Sequence, residues 1–510
     1  MQMRGSKVGH GEIFSHVCIT HKPVIFAARD KIGQDMKWAI LRIFIVCLGC
    51  LSPSAFSQAT AQRSHSGDEN SLTQALQLAK AHRYAEAAAV IRRVSPPEDR
   101  FQRIGFFRLR ASIESGLGYS AAAAADMEAA TRLAPENLEL KIAASLARLE
   151  AQLKSHGDPT PTLATLRSFA LAPAQELELR LHTGEILSRA NLFREAANDF
   201  EEASRLAPDR ADIDFNLALA RYRNGEWDAA LTSAERAKSL QDSGSVESLL
   251  GDIQEKRGDA LSAARSYQAA VTLEPDMEEH RLALATELLK HQTFDAAIVV
   301  LEQAEGLFPQ SARVRVLLAL TYYFVDRSQD SIRTLLEATK LDTTDVLATR
   351  YLGEITLQDS AVPDPAAATQ ICAFADAHPA SESADSLCGG VLLRVAEDNS
   401  DSSRRREILH RLRHAVAIAP SDPVAACQLG KALEWSQQWQ EARTQMEKCV
   451  RLDPDSPESH YRLARTYRRL GLATLAAEQT TAQQQAVRRQ TEETNRRTNT
   501  ITRFLVLLNQ

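Results

Sequence analysis

The chain has 510 residues, 44% hydrophobic and 25% charged, with 60 Lys and Arg against 66 Asp and Glu for a net charge of −6. These figures exclude wholesale disorder, a glycine-rich collagen-like chain and a polycation built to coat nucleic acid. Aromatics at 6%, beside alanine runs such as Ala121–Ala125, favour closely packed helices over a β-sandwich or barrel.

Residues 36–57 have the form of a bacterial export leader. Lys37 and Arg42 give a basic start, Ile43–Leu51 an apolar run, and Ala55-Phe56-Ser57 a small-x-small cleavage pattern before Gln58. The apolar run is well short of the roughly 20 residues that a membrane-spanning helix needs. The expectation is cleavage between Ser57 and Gln58 and an exported protein, periplasmic or extracellular. The alternatives are an uncleaved signal anchor in the inner membrane, or lipidation at Cys50, for which Cys47 stands where an aliphatic residue is wanted. Residues 1–35 read as an upstream extension, with Met36 rather than Met1 as the start, and 58–67 as a linker.

From residue 68 onward a fixed period organises the chain. Pro275 and Pro309 lie 34 residues apart, as do Pro420 and Pro454. The segments before such prolines share one series of offsets: Gly184, Ala196, Phe200, Ala203, Pro208; Gly251, Ala263, Tyr267, Ala270, Pro275; Gly430, Ala442, Met446, Cys449, Pro454. The unit ending at Pro309 carries Ala285, Ala297, Leu301 and Ala304 at the same places. Each unit predicts two helices joined by a short polar turn, such as Asn224-Gly225-Glu226 or Arg257-Gly258-Asp259, and stopped by the proline. The small residue of the first helix is expected to face the alanine of the second, with the bulky residue packing toward the neighbouring unit.

This series resembles the tetratricopeptide repeat family. Phased outward, units begin near 68, 104, 138, 177, 211, 244, 278, 312, 346, 380, 423 and 457, about twelve hairpins over 68–490. Units near 138–176, 346–379 and 380–422 are irregular, and 472–510 reads as a C-terminal cap or tail. The resemblance implies an all-α, right-handed superhelical solenoid of antiparallel helix pairs, with a groove lined by first helices and capped ends.

Motifs for catalysis are missing: the chain has no HExxH, GxSxG, GxxxxGK[ST] or GxGxxG. His410 and His414 share a helix face, but with arginines around them, so a solvated face is expected there rather than a metal site. No catalytic residue, metal or cofactor is expected. Cys372, Cys388, Cys427 and Cys449 follow the leader. Repeat phasing sets Cys372 level with Cys388 and Cys427 opposite Cys449, so bridges 372–388 and 427–449 are expected; the alternative is four small buried hydrophobes.

The family's carboxylate clamp uses Lys and Asn at set groove places, which here hold Leu181 and Glu185, Phe215 and Leu219, Ser248 and Asp252, Leu282 and Thr286. The groove instead offers Phe215, Tyr222 and Arg223, then Val316, Leu320, Tyr323 and Phe324, and at its far end Lys431, Arg462, Arg465, Arg468 and Arg469. Aromatic and arginine anchors suit peptides or protein surfaces; inter-repeat packing and a solvated face are the competing reading. The expectation is a non-catalytic scaffold that binds peptides or protein partners, or else a periplasmic assembly or chaperone-like factor or the recruiting subunit of an envelope enzyme complex. Nucleic acid is not an expected partner, membrane contact is expected only through an uncleaved anchor, and oligomeric state is left open.

Overall fold

The computed structural model describes residues 65–342, 346–359, 363–399 and 402–508, with side chains from 69 to 492. The leader, the Ser57–Gln58 cleavage site, the upstream extension and most of the linker lie outside the described residues. Among those described, 24 helices and no strands form an all-α array of antiparallel helix pairs. They fall into two compact units, divided between Asp242 and Ser243.

The first unit holds five hairpins: α1 His65–Lys80 with α2 Tyr84–Ile91, α3 Arg100–Gly116 with α4 Ser120–Leu133, α5 Leu138–Lys154 with α6 Thr160–Arg167, α7 Pro173–Arg189 with α8 Phe193–Leu206, and α9 Ala211–Arg223 with α10 Trp227–Leu240. The second holds seven. These are α11 Gly244–Lys256 with α12 Ala260–Leu273, α13 Glu278–Lys290 with α14 Phe294–Leu307, α15 Ala312–Phe324 with α16 Ser328–Leu341, and α17 Val346–Gln358 with α18 Pro365–Ala377. They continue with α19 Ala384–Asp398 and α20 Arg405–Ile418, α21 Pro423–Trp435 and α22 Trp439–Leu452, and α23 Pro457–Arg469 and α24 Ala473–Leu508.

First helices begin where side chains can take up orphan backbone donors. Asp99, Asn137, Ser243, Ser311, Asp422 and Ser456 each accept a backbone N–H of the first turn that follows, as Asp364 does ahead of the second helix α18. Pro173, Pro365, Pro423 and Pro457 open their helices, where a missing N–H costs nothing. Ten of the twelve hairpin turns place one residue in the left-handed region. It is glycine at 118, 225, 258 and 471, but His82, His156, Asn191, Gln292, Asp326 and Gln437 elsewhere. The longer connections of α17 to α18 and α19 to α20 show none among their described residues.

First helices start at 138, 211, 244, 278, 312, 346, 423 and 457, as the period requires. Four others start at 65, 100, 173 and 384 rather than 68, 104, 177 and 380. Those four helices run 15–17 residues against 13 in the regular hairpins. The offset series marks the inside of a hairpin and is blind to a turn added at its entrance, as at 65, 100 and 173, or to a late start, as at 384.

Packing within the hairpin also corrects an expectation. A methyl group on Gly184 would lie 2.7 Å from the Phe200 ring, on Gly251 2.6 Å from Tyr267, and on Gly430 2.6 Å from Met446. The glycine therefore receives the bulky residue of its own second helix, rather than serving the alanine while that residue reaches to the next unit. Buried leucines, alanines and aromatics link one hairpin to the next within each unit. In the described residues no helix is long and apolar enough to cross a membrane.

Candidate functional site: the first-helix face

On α9, in the first unit, Phe215 and Tyr222 are half-buried and Arg223 is exposed, its guanidinium 6.0 Å from the Phe193 ring. In the second unit the aromatic stretch of α15 is mostly interior. Leu320 and Tyr323 are 1% exposed and packed with Ile332, Leu335, Leu352 and Ile355. Val316 and Phe324 lean on the same cluster, Phe324 stacked 5.3 Å from Phe294. The Tyr323 hydroxyl donates to Gln358, and burial drives its pKa up. Leu320 and Tyr323 are thus core residues and not free anchors, because the following first helix, α17, covers them.

Charge on this face is mostly paired. At its start, the Tyr267 hydroxyl donates to Asp252 Oδ1 at 2.7 Å, and Lys290 Nζ lies 2.6 Å from Glu255. Burial pushes Asp252 up to about 6, although the Tyr267 hydrogen bond opposes it. At the far end, Lys431 Nζ and Arg462 Nε each lie 2.9 Å from Glu458 Oε1. Arg462 Nη1 is 3.4 Å from Glu434, whose other oxygen accepts from the Thr466 hydroxyl. Burial alone would raise Glu458; the Lys431 and Arg462 cations outweigh it and hold the carboxyl at about 2. Burial and the neighbouring Arg462 together lower Lys431, against the pull of Glu458.

Three residues of α23 stand apart. Arg465 and Arg468 are exposed and have no ion-pair or hydrogen-bond partner among the described residues. Tyr461, 44% exposed, sits one helical turn before Arg465. It was not among the residues expected from sequence, yet it occupies the repeat place of Leu282 and Val316, and that register was the signal. Arg469 instead covers the Trp439 ring at 5.6 Å.

The four cysteines meet in two pairs. Sγ atoms lie 2.09 Å apart between Cys372 and Cys388, joining α18 to α19, and 2.00 Å apart between Cys427 and Cys449, joining α21 to α22. Cys372 also lines an open cleft of about 1000 Å³ with Gln329, Pro365, Leu392, Asn399 and Arg404. His414 Nδ1 lies 2.6 Å from Asp385, while His410 is exposed. No group of three His, Cys, Asp or Glu able to hold a metal ion is found among the described residues.

A family model described as tetratricopeptide repeat matches residues 183–245, 248–312 and 427–484. Those three stretches of the chain carry tetratricopeptide repeats. Among solved structures, it is similar to YrrB, a tetratricopeptide-repeat protein "with an unusual peptide-binding site", at 18% identity and a TM-score of 0.31, over 36% of this chain and 98% of that one. It is also similar to the C-terminal part of a tetratricopeptide-repeat protein from Cytophaga hutchinsonii, at 16% identity and a TM-score of 0.42, over 49% and 99% of the two chains. Yeast Tom70 matches at 14% identity and a TM-score of 0.32, over 82% and 96%. A search of curated proteins returned no match.

Proposed function

We propose that this tetratricopeptide-repeat protein is a non-catalytic scaffold that binds protein or peptide partners along the face made by its first helices. One observation carries the reading: successive repeats bring side chains far apart in sequence onto one face, as where Lys431 of α21 and Arg462 of α23 meet on Glu458. A partner laid along such a face touches several repeats at once, and its affinity comes from a few anchors more than from area. We propose further that the chain is exported with residues 36–57 removed. The pairing of Cys372 with Cys388 and of Cys427 with Cys449 supports an oxidising compartment.

The test is photo-crosslinking in the native host, from probes at Arg223 and Arg465 on first helices and at the exposed Val299 and Leu307 on α14. The expected result is a defined partner crosslinked from the first-helix probes alone, which then binds the purified chain. Non-reducing peptide mapping should give a mature N-terminus at Gln58 and bridged peptides. Equal crosslinking from both sides would overturn the scaffold reading, and an intact leader with free thiols would overturn export.

A further inference from the structure

Several cations on the first-helix side of the second unit are held by carboxylates: Arg350 by Glu354 at 2.7 Å, and Lys431 and Arg462 by Glu458. Arg465 and Arg468, on the same helix as Arg462, are not. Both are exposed with no carboxylate in reach, on the same helix face as the exposed ring of Tyr461. The described side chains of α24 do not cover them, since Leu475 and Ala476, with Leu472 of the turn before it, pack with Leu463 and Tyr467 on another side of α23. From Pro457 onward the sequence carries nine arginines against four glutamates, in a chain whose net charge is −6. The positive field is local.

We infer that Tyr461, Arg465 and Arg468 form a docking site for an extended acidic segment of a partner protein. The inference rests on the scaffold reading and names the chemistry of the partner. Residues 461, 465 and 468 follow the i, i+4, i+7 spacing of one helix face. The strip is about 10 Å long at 1.5 Å per residue, which three residues of extended chain span at roughly 3.3 Å each. An apolar side chain packs on the Tyr461 ring, and carboxylates follow onto the two guanidinium groups, whose planar forks suit bidentate pairing.

A polypeptide fits better than a nucleic acid. The half-buried carboxylate on this helix, Glu458, is shared by Lys431 and Arg462, so the uncompensated positive charge stops at Arg465 and Arg468. A nucleic-acid backbone carries a phosphate at every step and runs past so short a strip onto Glu458; a peptide places its acidic groups only over the free arginines and presents N–H donors elsewhere.

The experiment uses the full chain and a fluorescein-labelled nonapeptide carrying one leucine followed by three glutamates, with a glutamine version as control, read by fluorescence anisotropy. The expected result is binding of the glutamate peptide that weakens as salt rises and falls at least about tenfold in Arg465→Glu/Arg468→Glu, the loss of two charge-assisted hydrogen bonds. A lysine version of the peptide should then bind that variant better than it binds the unaltered chain. Both sites are exposed, so the variant should keep its circular dichroism, and the paired reversal Arg92→Glu/Arg93→Glu in the first unit should change nothing. Equal binding of glutamate and glutamine peptides, unchanged affinity in the variant, or stronger binding of an oligothymidylate of equal charge would overturn the inference. Each of these can occur while partners still crosslink from Arg223, in which case the scaffold reading stands and only the acidic site fails.

Discussion

Two stretches of the second unit build the same helix pair in different ways. From 244 to 341 the hairpins are regular: three-residue connections, one left-handed residue in each at Gly258, Gln292 or Asp326, and in the first a glycine taking the bulky residue of its own second helix. From 346 to 418 the connections lengthen to 359–364 and 399–404, no left-handed residue occurs among those described, and close approaches turn outward. A methyl on Gly353 would meet Leu387 of α19 at 2.9 Å, and one on Gly390 would meet Gln428 of α21 at 3.0 Å. Only Gly389, against Leu412, keeps an internal contact. The Cys372–Cys388 pair joins α18 to α19 inside this stretch. Regular hairpins define themselves from within, and irregular ones are defined by their neighbours.

Removing the covalent link tests this most strongly. Cys372→Ala/Cys388→Ala should cost about 3 kcal/mol, with hydrogen-exchange protection lost mainly across 346–418; loss spread evenly over the whole second unit would contradict the contrast. Next is the internal contact: Gly251→Ala should destabilise by about 2 kcal/mol through overpacking on Tyr267. The same change at Gly105, mid-helix in α3 with nothing within 4 Å, should stabilise by about 0.5–1 kcal/mol. Denaturant midpoints of the two variants should move in opposite directions.

Smaller gains wait in the regular turns. Gln292→Gly and Asp326→Gly should each add about 0.5 kcal/mol, relief of left-handed strain less the entropy that glycine brings to the unfolded chain. A loss of stability at both would show that those side chains do more than occupy the turn. The subtlest effect is electrostatic. Glu458 is held at about 2, so what its ionisation contributes is complete above the ordinary carboxylate value and is lost as pH falls through about 2. Its side chain is 39% exposed, so solvent screens much of the gain. An NMR titration should find the carboxyl near 2, and Lys431→Met should raise it.

Much of this was legible in the sequence because proline, glycine and alanine at fixed offsets are backbone instructions, and these set the twelve hairpins. What the offsets could not convey was what covers a given side chain. Repeat position puts Leu320 and Tyr461 on corresponding faces, yet α17 lies over the first and leaves it in the core, while α24 packs elsewhere on α23 and leaves the second in solvent. Pairing was hidden for the same reason. Lys431 and Arg462 read as open cations until Glu458 is seen between them, whereas Arg465 and Arg468, identical in type, have nothing opposite.

The left-handed turns also bear on the order of assembly. A hairpin closed by a three-residue connection brings its helices together across very short sequence separation, so it can form early and alone. The two hairpins with long connections gain less from local closure and wait for flanking pairs to offer a surface. Folding of the second unit should therefore start on either side of 346–418 and meet there, making that stretch the seam where the growing segments join and where an interrupted chain would stall.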